Sequence, residues 1–82
     1  MIRLTIAKPL SVGTITTKDY ANYALLEPSI ERAMERLADR GYDLCELPGS
    51  NSKSGTIEVT RDDLADILVY QWDTLYTERT TK

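Results

Sequence analysis

Hydrophobic and polar positions alternate at the start of the chain. In "MIRLTIA" the residues Ile2, Leu4 and Ile6 interleave with Arg3 and Thr5, the period-two pattern of a strand with one buried face. Pro9 and Gly13 punctuate a turn, and the β-branched stretch 13–17 predicts a second strand returning as a hairpin. From Thr17 onward Ala, Leu and Tyr dominate, which predicts a short helix over about 18–26. Pro28 disfavours helical geometry at Glu27 and suits a first helical turn, so a break is expected there with a new helix starting at Pro28. Along "PSIERAMERLADR" the residues Ile30, Ala33, Met34, Leu37 and Ala38 share one face, and Gly41 after Arg40 supplies a C-terminal stop.

"YDLCEL" and "GTIEVT" predict two more strands. Thr60 with Asp63 three residues later resembles a capping box, so 61–76 is expected to be a final helix. The predicted order is ββ(α)αββα, an α+β domain with helices packed on one face of a small antiparallel sheet. It occupies residues 1–77 as one domain, and the polar stretch 78–82 reads as a flexible tail.

Composition narrows the chemistry. Eighty-two residues make one domain with a small core, and Phe is absent, so Trp72, the tyrosines and the aliphatics must fill it. The chain has no His and a single Cys, which removes His-based nucleophile pairs and internal disulfides. No apolar run reaches the roughly 18 residues a membrane helix needs. No metal or cofactor motif is present: Asp62, Asp63 and Asp66 lack the EF-hand spacing. The expectation is a non-enzymatic, cytoplasmic protein without a cofactor.

The loop "LPGSNSKSGT" carries two glycines around Lys53 but is not a phosphate loop. The lysine precedes Gly55, and a strand rather than a helix follows. It reads as an exposed, flexible hairpin turn, with Lys53 as a contact for a partner.

Charge is unevenly spread. The net charge is −3, but 19–78 holds all thirteen acids against five bases while both ends are basic. An acidic body disfavours nucleic acid and anionic lipid and favours a basic partner. On a helical wheel Glu31, Glu35 and Asp39 fall at i, i+4 and i+8, with Glu27 leading in, and Arg32, Arg36 and Arg40 form a parallel basic ridge. Like charges at i, i+4 destabilise a helix by about 0.2–0.5 kcal/mol per pair, and the i, i+3 pairs Arg32–Glu35 and Arg36–Asp39 recover part of that. The pattern is either a solvated face with local ion pairs or a surface segregated to meet a partner's charges. On the predicted last helix Asp62, Asp66 and Asp73 form a second acidic sector. Its apolar arc of about 200° is wider than one sheet contact needs, so either the helix is sandwiched with Trp72 in the core, or Val69, Trp72 and Tyr76 face another chain as an apolar interface or a homodimer contact.

These features together predict a small acidic protein-binding module. It would be an inhibitor or regulator, of the type found among phage accessory proteins, whose acidic ridges engage the basic surface of a partner protein. The alternative is a winged-helix-like nucleic-acid binder using Arg32, Arg36, Arg40 and the loop 48–55.

Overall fold

A computed structural model of the chain describes residues 1–9, 13–63 and 67–75. Six elements run in the order β1 (Ile2–Lys8), β2 (Gly13–Tyr20), α1 (Tyr23–Asp39), β3 (Asp43–Glu46), β4 (Ser54–Thr60) and β5 (Leu68–Thr74). The strands form one antiparallel sheet in the order β2-β1-β5-β4-β3. The helix packs on one face of it. The α+β class and the two hairpins stand. The order is ββαβββ rather than ββ(α)αββα.

The first correction lies around Pro28. Residues 18–20 finish β2 instead of opening a helix, and α1 runs through Pro28 without a break. The helix starts at the Asn22 cap, whose side-chain oxygen accepts from the Leu25 amide at 3.1 Å. Pro28 is the sixth helical residue, so the carbonyl deprived of a partner belongs to Ala24. Both residues are exposed, and water can serve that carbonyl. With a single helix there, the helix–Pro–helix element of a winged helix is not formed. The helix ends as expected at Gly41, which has φ +89°. The Gly41 amide donates to the Ala38 carbonyl and the Tyr42 amide to Leu37, both at 3.0 Å, the paired closure that a left-handed glycine permits. Arg61 then fastens this end by donating to the Arg40 carbonyl at 3.2 Å and lying over the Tyr42 ring.

The second correction concerns the predicted last helix. Thr60 ends β4, Asp63 is held by Arg61, and 68–74 form the central strand β5. Leu68, Tyr70, Trp72 and Thr74 alternate with Val69, Gln71 and Asp73, and the first set meets Val59, Ile57, Leu4 and Ile2 across the ladders. The broad apolar arc on the helical wheel is the signature of a strand apolar on both sides at its start, "ILVY", and rich in β-branched and aromatic residues. Val69 and Trp72 therefore point to opposite faces of the sheet. They do not form one stripe. Tyr76 and Asp66 lie outside the described residues.

The core lies between α1 and the sheet: Ile2, Leu4, Leu26, Ile30, Ala33, Ile57, Val59, Tyr70 and Trp72. Leu26 is fully buried. Trp72 is 2% exposed and belongs to this core. Its indole N–H donates to the Asn51 carbonyl at 2.7 Å, so the polar handle of the ring is satisfied.

Candidate functional site

Along one side of α1 the helix–sheet contact opens into a groove of about 570 Å³. Tyr23, Ile30 and Met34 from the helix and Ile57 and Trp72 from the sheet make its floor, and Glu27, Glu31, Glu35 and Glu46 line it as well. The floor is core: Ile30, Ile57 and Trp72 are buried, while Tyr23 and Met34 are half-buried. Among the described residues, no lysine or arginine lines the groove.

The geometry follows from the helical repeat. Residues four apart rise about 6 Å and stay on one flank, so Glu27, Glu31 and Glu35 stand in a row beside the apolar strip of Tyr23, Ile30 and Met34. β3 brings the fourth acid. Glu46 pairs with Ile57 in the β3–β4 ladder, and alternation puts it on the helix-covered face with Leu44. The electrostatics register at Tyr23, whose phenol pKa is pushed up by burial first, then by the negative charges of Glu27, Glu46 and Glu31.

Among the described residues, the acids of α1 close no ion pair with its arginines. The i, i+3 partners Arg32–Glu35 and Arg36–Asp39 stay apart, and the ion pairs formed are Arg3–Asp19 at 2.7 Å and Arg61–Asp63 at 2.5 Å. Charge segregation on the helix is thus a segregation of surfaces. Glu27, Glu31 and Glu35 line the groove, while the Arg36 charge reaches Tyr70 and opposes the upward shift that burial gives its phenol.

The structure brings together Glu27, Glu31 and Glu35 of the expected ridge and leaves Asp39, Asp62 and Asp73 apart from them. Asp39 is exposed one turn further on and does not line the groove. Asp62 is exposed in the segment after β4, and Asp73 lies on the opposite face of the sheet. Asp62 and Asp73 therefore do not share a helical ridge. Glu46 was missed because its approach to α1 depends on the strand order, which no local pattern encodes. Its alternation with Leu44 was the available hint.

The loop between β3 and β4 is fastened more firmly than a flexible turn. Pro48 and Gly49 (φ +89°) make a tight turn, with the Ser50 amide on the Leu47 carbonyl. The Asn51 side chain accepts from the Lys53 and Ser54 amides at 2.7 and 3.1 Å. The Lys53 carbonyl accepts from the Thr74 hydroxyl at 2.7 Å, which ties the loop to β5. Lys53 itself is exposed at the tip and lies outside the groove.

Among the described residues no group of His, Cys, Asp and Glu is arranged to hold a metal ion, and no helix is long and apolar enough to cross a membrane. Comparison of the chain with protein-family models, curated proteins and solved structures finds no match.

Proposed function

We propose that the protein is a small binding module whose groove captures a basic segment of another protein, acting as an inhibitor or regulator of that partner. One observation carries this reading: four carboxylates line an apolar-floored groove that no cation among the described residues occupies. The chemistry fits an arginine or lysine side chain flanked by an aliphatic or aromatic residue. The aliphatic stem of such a side chain covers the floor while its head meets Glu27, Glu31, Glu35 and Glu46. Three glutamates spaced at i, i+4 cost helix stability, and that cost is rational on a surface kept for a partner's charges. Complementary charge speeds the encounter and sets its salt dependence.

The test uses a defined probe. A synthetic peptide alternating arginine with leucine is titrated against the protein, with the fluorescence of Trp72 as reporter. Saturable, salt-weakened binding is expected, reduced about tenfold or more by Glu31→Gln combined with Glu46→Gln. A peptide alternating arginine with glycine should bind clearly more weakly. Equal binding of the two peptides, or no effect of the glutamine substitutions, defeats the proposal.

A further inference from the structure

The two edges of the sheet are built differently. β3 has four residues, with Asp43 and Glu46 at its ends, so it is short and charged, as protected edges usually are. The opposite edge, β2, is eight residues long, contains no proline, and among the described residues has β1 as its ladder partner on one side only. Its two charges are turned onto their own sheet. Arg3 holds the Asp19 carboxylate through two hydrogen bonds of 2.7 and 3.1 Å, and the Lys18 ammonium lies 5.4 Å from the centre of the Tyr20 ring. What remains along the edge is hydroxyl-rich, Thr14, Thr16 and Thr17, together with Ile15, which the bulge opposite Ile6 and Ala7 leaves 48% exposed.

We propose that β2 pairs antiparallel with β2 of a second copy, joining two five-stranded sheets into one. Closure requires a two-fold axis perpendicular to the sheet, which sets each residue opposite one on the same face. Centring on Lys18 or Asp19 would oppose like charges. Centring on Thr17 sets Thr17 against Thr17, Thr16 against Lys18 and Asp19 against Ile15, with no like charges directly opposed and a threonine pair at the axis. The operator also keeps both helices on one face. The two acid-lined grooves then open on the same side, seven strand spacings apart, or about 34 Å at roughly 4.8 Å per strand. A dimer of this kind would engage two basic segments at once. The pairing itself does not depend on the groove's function.

Sedimentation velocity over a concentration series should show a monomer–dimer equilibrium. Thr17→Lys, which puts two ammonium groups face to face, should raise the dissociation constant more than about tenfold while leaving the circular dichroism spectrum unchanged. In a Cys45→Ser background, Thr17→Cys should yield a disulfide-linked dimer on oxidation. Thr5→Cys, one strand further in, should not. A chain that stays monomeric at all concentrations, a dimer indifferent to Thr17→Lys, or equal cross-linking at positions 5 and 17 overturns the proposal.

Discussion

Two strips of the same helix–sheet interface differ in what they ask of their residues. In the sealed strip Leu26 and Val59 are buried to 0% and 1% exposure. In the open strip a groove runs along the helix, and Glu27, Glu31, Glu35 and Glu46 line it. Trp72, Ile30 and Ile57 belong to both, as core residues that also make the floor of the groove. The lesson is a division of labour. Changes to the floor should register first in stability, and changes to the glutamates first in binding.

The sharpest way to break that division is at Gly55. It faces Trp72 across the β4–β5 ladder, and a Cβ there would lie 2.6 Å from the Cε2 and Cη2 atoms of the indole. No rigid ring can accept that approach. Gly55→Ala should therefore cost about 3 kcal/mol or more, a large share of the stability of so small a domain. The measurement is the urea midpoint followed by circular dichroism. An unchanged midpoint would mean that Trp72 is not seated against β4, and the floor of the groove would lose its basis.

Pro28 offers an effect of opposite sign. It interrupts the ladder of α1 on the exposed side, so Pro28→Ala restores an amide donor without disturbing the core. Stability should rise by about 1–3 kcal/mol, read as a higher urea midpoint with the groove's affinity unchanged. A fall in stability would show that the proline serves the fold in some way beyond its local helical cost.

How far these strips were legible in the chain depends on which interactions build them. β1, the β3–β4 hairpin and the Gly41 stop follow from local rules, alternation and glycine's left-handed freedom, and they appear where the residues predict them. Local rules failed at Pro28, where a cap at Asn22 and packing through Leu26 and Ile30 outweigh the proline's cost. They failed again at "ILVYQWDT", whose strand alternation is masked by apolar residues on both faces. That second failure cost the most for the site. It put Asp62 and Asp73 on one helical ridge, which the strand β5 separates, and it hid that Trp72 lies on the floor of the groove lined by Glu27, Glu31 and Glu35. The ridge on α1 was legible because i, i+4 spacing is local. Glu46, brought in by strand order, was not.

Charge reversal at the acid ridge separates the strips with a smaller energy. Glu31 lies between Glu27 and Glu35 on the helix flank, so Glu31→Arg removes two like-charge contacts and creates two attractive ones. Helix pair energies put the gain at about 0.8–2 kcal/mol at low salt. The same variant should lose the arginine–leucine peptide. A protein made more stable and less able to bind is the expected mark of a residue retained for a partner. Loss of both properties together would assign Glu31 to the fold instead.

The finest probe is the ionisation of Tyr23, because it reads the groove's field without a ligand. Its pKa is raised by burial and by Glu27, Glu46 and Glu31, so the fold favours the neutral phenol. With the folded value above the ordinary one near 10, this contribution to stability is fully present below about pH 10. It is lost as pH rises through the folded value. A spectrophotometric titration, taken as the difference from Tyr23→Phe to remove the other tyrosines, isolates the midpoint. Glu27→Gln with Glu46→Gln should lower it. The midpoint should still remain above that of a free tyrosine, since burial is the larger cause. An unmoved midpoint would mean that these carboxylates do not converge on Tyr23, and the acid-lined strip would be no different electrostatically from any solvated helix flank.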